Sequence, residues 1–173
     1  FKGINEAPIQ WAGLTSWQFR RVIDVTPAML ARAHVDLVFD GLDTFATVTV
    51  NGTKLLTADN AHRRWRVDAK AVLRPGRNEL IVAIASPIRT LQPMVLASPN
   101  PLPGEYDSAF GDEPKGKQTS PYIRKPKYQY SWDWAPRLVT IGLWRPVRLE
   151  AWDEARIDGF RVDQEAINDS EAR

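Results

Sequence analysis

Short alternating runs of apolar and polar residues, each cut off by a turn signal within about ten positions, constrain this chain more than any other feature. The sharpest case is Phe45-Ala46-Thr47-Val48-Thr49-Val50, followed by Asn51-Gly52 and the return segment Lys54-Leu55-Leu56. A two-residue hairpin turn needs φ > 0 at its central positions, which Asn and Gly tolerate best, so Asn-Gly between two such runs predicts a β-hairpin. Trp17 to Val25 alternates imperfectly, and Thr26-Pro27 then supplies an N-cap and first-turn pair for a helical turn over Ala28 to Arg32. Ala33, Val35, Leu37 and Phe39 alternate with His34 and Asp36, and Trp65 with Val67. Arg74-Pro75-Gly76-Arg77-Asn78 reads as a turn before a strand over Glu79 to Ala85. Leu138 to Ile141 and Trp144 to Trp152 read as later strands, and Ala155 to Val162 as a weaker one. The spacing shows neither βαβ alternation nor an internal repeat. It predicts an all-β chain with little helix, an antiparallel β-sandwich or jelly roll.

At 173 residues the chain can bury one real core. Charged residues make up 25% and apolar ones 43%, which excludes a disordered composition. A net charge of +2 points to neither a nucleic-acid nor a membrane partner, and no run approaches the ~18 apolar residues of a membrane span. The absence of cysteine excludes disulfides and thiolate metal sites without deciding the compartment; the reading leans to a periplasmic or secreted protein. A start at Phe1 with no Met and no signal peptide reads as a fragment or processed product. Asn51-Gly52-Thr53 and Asn168-Asp169-Ser170 fit the glycosylation pattern, but the first is better read as a turn.

Two segments break the strand rhythm. Ser86 to Ile123 holds Pro87, Pro93, Pro99, Pro101, Pro103, Pro114 and Pro121, more than half of the 13 prolines, so it reads as neither regular helix nor central strand. A loop that long in a compact domain is usually functional or disordered, and its aromatics and acids around Tyr106 to Phe110 argue for a binding wall. The second segment is Tyr128-Gln129-Tyr130-Ser131-Trp132-Asp133-Trp134, with four aromatics in alternation. If extended, it sends all four rings from one face, with Asp133 opposite; a backbone turn at Ala135-Pro136 would swing Asp133 out instead. Flat apolar rings beside a carboxylate suit a pyranose, whose C–H face packs on indole and whose hydroxyls donate to the acid. The competing reading makes the Trp residues core and Asp133 a turn cap.

Three features resemble glycoside hydrolase family 2, in its N-terminal domain. Gly41 through Gly52 is similar to the family's strand–hairpin signature, and Arg74-Pro75-Gly76-Arg77-Asn78-Glu79-Leu80 to the turn into its next core strand. Ile123-Arg124-Lys125 through Trp132-Asp133-Trp134-Ala135-Pro136-Arg137, with Gly142-Leu143-Trp144-Arg145-Pro146-Val147, resembles the β-mannosidase branch in particular. The resemblance spans roughly residues 1–157. It implies a galactose-binding-type jelly roll, with two catalytic glutamates on a separate (β/α)8 barrel. Trp132, Asp133 and Trp134 then become substrate contacts in the glycone (mannose) subsite, and this chain carries no catalytic residue. The implied partners are a β-mannoside or other oligosaccharide, an immunoglobulin-like domain and the barrel. The expected division is residues 1–153 for the jelly roll, its N-terminal edge incomplete, and 154–173 for a linker or the first strand of the following domain. The first two features recur in the family's β-galactosidases and β-glucuronidases, which keeps those enzymes as alternatives.

Other chemistry is poorly served. Retaining hydrolysis needs two carboxyl groups about 5–5.5 Å apart; Glu105 with Asp107 and Asp112 with Glu113 are the loop pairs near the aromatics, and both read as ordinary loop charges. His34 and His62 have no nucleophile signature beside them and are too few for a zinc site, and no acidic run suits calcium. No cofactor is called for. Lys115, Lys117, Arg124, Lys125 and Lys127 before interleaved aromatics suggest a single-strand nucleic-acid binder, against which Asp133 counts by repelling phosphate. A stand-alone carbohydrate-binding module is a further alternative. The remaining tryptophans read as structural: Trp11 and Trp17 around a turn, Trp65 stacked by a neighbouring arginine, and Trp144 and Trp152 in the core.

Overall fold

Alternation becomes pairing. The computed structural model describes residues 5–104 and 106–171. Its strands are β1 (Trp17–Val25), β2 (His34–Phe39), β3 (Leu42–Asp43), β4 (Phe45–Val50), β5 (Thr53–Ala58), β6 (Trp65–Asp68), β7 (Gly76–Ala85), β8 (Gly142–Leu143) and β9 (Val147–Trp152). They form a four-stranded sheet in the order β1-β7-β4-β5, a three-stranded sheet β6-β2-β9 and a small pair β3-β8, all antiparallel. This is the expected all-β sandwich.

The predicted hairpin is β4–β5. Asn51 (φ 50°) and Gly52 (φ 83°) both lie in the left-handed region. The Asn51 amide donates to Val72 O and Asn78 Oδ1, each at 2.8 Å, and its oxygen accepts from Glu79 N at 3.0 Å. That side chain ties the hairpin to the turn before β7, and its engagement supports the turn reading over a glycan acceptor. Between the sheets lie Ala46, Val48 and Val50 of β4, Leu80, Val82 and Ile84 of β7, and Val35, Leu37 and Phe39 of β2, every second residue of each strand. Outside β2, Arg66 bridges Asp36 (2.9 Å) and Glu150 (2.7 Å).

β1 and β9 end their sheets without a further strand among the described residues. Between them opens a cleft of about 720 Å³, lined by Phe19, Val22, Leu80, Val82, Leu143 and Leu149 among others.

Several expectations need correction. Ser86 to Ile123 is not wholly irregular, because Pro87–Ala97 forms a helix, α2; the shorter α1 is Pro27–Leu30. Ser86 Oγ caps α2 by accepting from Arg89 N (3.2 Å), and Pro87 sits in the first turn, where its missing N–H costs nothing. Pro93 lies inside α2. Leu138 to Ile141 is not a strand; pairing starts at Gly142. The stretch 155–162 is unpaired among the described residues and leaves Ile157, Phe160 and Val162 exposed. Trp152 lies on the outer face of β9, stacked on His34 at 3.9 Å between centroids, rather than between the sheets. Trp144 is 50% exposed and not core. Trp65 is covered by a guanidinium, but that of Arg63 at 4.4 Å, not of its sequence neighbours Arg64 and Arg66, which pair with Asp40 and Asp36. No helix among the described residues is long and apolar enough to cross a membrane.

Candidate functional site

Residues 127–134 are not extended. Lys127–Tyr130 and Trp132–Trp134 are two 3-10 turns meeting at Ser131. Three non-glycine residues at the tip are left-handed: Ser131 (φ 75°), Asp133 (φ 54°) and Trp134 (φ 60°). Each costs roughly 1–2 kcal/mol relative to a right-handed residue, and bulky residues with such φ persist only where their surroundings hold them. The four rings therefore do not share one face. Tyr130 turns inward and is 4% exposed, whereas Tyr128 (57%), Trp132 (50%) and Trp134 (94%) turn out. An indole left almost wholly in water by a chain that has a core to bury it in is the least ordinary feature of this surface. Asp133 lies between the two exposed indoles, and no hydrogen bond or ion pair from the described residues reaches its carboxylate.

Buried charges hold the tip from both sides. Upstream, the Lys125 side chain is fully buried and its ammonium donates to Asp43 Oδ2 and Thr140 O. Burial pushes the ammonium below the usual lysine range, and the Asp43 carboxylate opposes that shift. Gln129 joins this group, its amide 3.4 Å from Asp43 Oδ2 and its oxygen accepting from Thr140 Oγ1 at 3.1 Å. Downstream, the buried Arg137 guanidinium meets Asp112 and Glu113, each at 2.7 Å, and donates to Gln10 Oε1 at 3.1 Å. Glu113 also accepts from Thr119 N (2.7 Å) and Thr119 Oγ1 (2.6 Å). The Arg137 backbone is fixed as well, its N–H donating to Glu6 Oε1 (2.7 Å) and its carbonyl accepting from Gln10 Nε2 (2.8 Å). Between these anchors the Tyr130 ring packs with Ile88, Ile123 and Val139, and burial raises its hydroxyl above the ordinary tyrosine range.

The structure thus brings Trp132, Asp133 and Trp134 together on an exposed, stiff protrusion. Asp112 and Glu113 serve as counter-ions to Arg137 instead of forming an acid pair, while Glu105, proposed beside Asp107, lies outside the described residues. Three cations of the basic run are engaged by the protein, while Lys115 and Arg124 are exposed. Lys125 is buried, the Lys127 ammonium donates to Ser120 O and Ile123 O, and that of Lys117 to Ser98 O (3.0 Å). Sequence reasoning missed Asp43, Lys125 and Arg137 as supports. Only their charge within apolar surroundings hinted at burial, and Asp43 and Lys125 are 82 positions apart.

Chemically, the tip offers two stacking surfaces and one acceptor of charge-assisted hydrogen bonds, but no second carboxyl group to make an acid–nucleophile pair. Among the described residues no cluster of His, Asp or Glu suits a metal ion.

Residues 1–145 fit the family described as glycosyl hydrolase 2 galactose-binding domain-like. Beta-mannosidase B of Thermothelomyces thermophilus is 37% identical over 158 residues, covering 91% of this chain and 17% of that protein. Beta-mannosidase B of Aspergillus flavus is 34% identical over 168 residues, covering 96% and 19%. The crystal structure of a beta-D-mannosidase from Dictyoglomus thermophilum matches with a TM-score of 0.83 at 31% identity, over 96% of this chain and 19% of that one. The chain therefore spans less than a fifth of the length of each of these relatives.

Proposed function

This chain belongs to the glycosyl hydrolase 2 galactose-binding domain-like family, and on that footing we propose that it is the non-catalytic N-terminal domain of a β-mannosidase-type retaining glycoside hydrolase. Its role is to reach the Trp132–Asp133–Trp134 tip into the glycone subsite of a catalytic barrel supplied by the rest of the enzyme. The observation that carries this reading is the tip itself. Trp134 is almost fully exposed on left-handed backbone, a costly conformation for a bulky residue that a purely structural loop has no use for. One indole packs on the C–H face of mannose, and the Asp133 carboxylate accepts from its hydroxyls. The relatives are beta-mannosidases, which favours mannose over galactose or glucuronate. Two further features fit a larger enzyme with the sandwich at 1–153 and connecting chain from 154. Ile157, Phe160 and Val162 have apolar side chains in water, and an extended segment laid between the free edges of β1 and β9 would fill the open cleft.

Engaging Lys117, Lys125 and Lys127 within the protein weakens the nucleic-acid alternative, since a phosphate backbone needs a continuous track of free cations. The test is Asp133→Asn in the full-length enzyme. A charge-assisted hydrogen bond contributes about 1.5–3 kcal/mol against ~0.5–1.5 for a neutral one. The loss in kcat/KM on an aryl β-mannoside is thus about tenfold, with the melting temperature unchanged. An unchanged kcat/KM in the folded variant removes Asp133 from the site.

A further inference from the structure

Trp144 follows β8 in an exposed position that the structure nevertheless stiffens. The Arg145 guanidinium lies over its ring at 4.3 Å, and Gly41 lies so close that a Cβ there would come within 2.4 Å of the indole nitrogen. A ring braced on one face and one edge, yet half in water, is a platform rather than a core residue. It stands between two clefts. One, of about 370 Å³, is polar and holds Arg145 with Asp40, His62 and Arg64. The other, of about 270 Å³, excludes Arg145 and takes Tyr128, Gln129 and Thr140 together with the buried Asp43 and Ala61. Trp144 therefore lines both clefts, with Arg145 in the first alone.

We propose that the cleft between Tyr128 and Trp144 is a second carbohydrate subsite, taking one neutral pyranose ring of an oligosaccharide whose neighbouring residue is held at the Trp132–Trp134 tip. The proposal rests on the reading of the tip as a sugar contact. Size is the first argument. A cleft of 270 Å³ lies just under the ~300–1,000 Å³ of sites for drug-sized ligands and suits a single ring. Chemistry is the second. Two half-exposed aromatic rings supply stacking surfaces, and the Gln129 amide and Thr140 hydroxyl supply hydrogen bonds of both kinds. Charge is the third. Asp43 is matched by Lys125, and the unmatched cation beside the indole stays in the neighbouring cleft, so a neutral ligand is preferred to an anionic one. Position is the fourth. Tyr128 lies on the 3-10 turn that meets the Trp132–Trp134 turn at Ser131, so the cleft adjoins the tip.

The test is a titration of the full-length enzyme, ¹⁵N-labelled at tryptophan and inactivated at its catalytic nucleophile, with mannose and with a β-linked mannotriose, reading the indole N–H resonances. Mannotriose should shift Trp144 together with Trp132 and Trp134. Tyr128→Ala, a change at an exposed position, should abolish the Trp144 shift and weaken mannotriose binding about fivefold, an aromatic contact's share of affinity. Shifts at Trp132 and Trp134 with Trp144 unmoved would overturn the second subsite and leave the tip reading standing. A shift at Trp144 alone would support the cleft and count against the tip. No shift at any of the three at saturating sugar would overturn both.

Discussion

Replacing Arg137 by Met tests the anchor beneath the tip. Methionine keeps much of the apolar stem and removes the one guanidinium that faces Asp112 and Glu113. All three side chains are at most 4% exposed, and both contacts are 2.7 Å. Removing one partner of a buried pair costs about 3–5 kcal/mol, because the remaining charge stays buried and uncompensated. Two carboxylates are stranded here, but Glu113 keeps its bonds from Thr119, so the middle of that range, about 4 kcal/mol, is expected. Domains of this kind hold only about 5–15 kcal/mol in total. In urea at pH 7, followed by tryptophan fluorescence, the midpoint should fall by roughly 1.3–4 M for an m-value of ~1–3 kcal/mol/M. Adding Asp112→Asn and Glu113→Gln to Arg137→Met should restore most of the loss. A single variant within about 1 kcal/mol of the parent at pH 7, well below the range for a buried pair, would refute the reasoning, as would a triple variant no better than the single one.

Two further outcomes follow from the geometry. Because burial raises the Tyr130 hydroxyl, the folded chain keeps a proton that the unfolded chain loses near pH ~10. Stability is complete below that pH and should decline above it by up to ~1.4 kcal/mol per pH unit; Tyr130→Phe should remove this one-proton slope in a comparison of urea midpoints. Two glycines should fail for different reasons. Gly52→Ala meets nothing within 4 Å but keeps φ at 83°, and should cost about 1 kcal/mol. Gly41→Ala drives a methyl into the Trp144 indole, and should cost ~1–3 kcal/mol with a change in tryptophan emission.

What the sequence determined by itself is what neighbouring residues can decide. Asn51-Gly52 closed its hairpin because only those two residues needed to accept left-handed backbone there. Thr26 capped α1, its Oγ1 accepting from Met29 N at 3.2 Å, because cap and acceptor are three residues apart. The alternation in β2 and β4 buried one side of each strand because the side-chain period is built into the pleat. Even α2 was announced locally, by Ser86 before Pro87, and was hidden by the weight given to the seven prolines of 86–123 taken together. The family resemblance lay in contiguous motifs and was equally legible.

The tip obeyed no such rule. Alternating aromatics from Tyr128 to Trp134 suggested a strand, and nothing within those residues called for Ser131, Asp133 and Trp134 to turn left-handed. That conformation coincides with a fixed frame, with Lys125 drawn to Asp43, Arg137 drawn to Asp112 and Glu113, and Tyr130 packed on Val139. Trp144 was misread in the same way: an isolated tryptophan looks like core until Gly41 and Arg145 are seen to hold it at the surface. Local propensities amount to tenths of a kcal/mol up to about 1 per residue, whereas a buried ion pair broken on one side costs about 3–5. Where the two disagree, contacts between distant residues set the backbone, and those contacts exist only once the sandwich has formed.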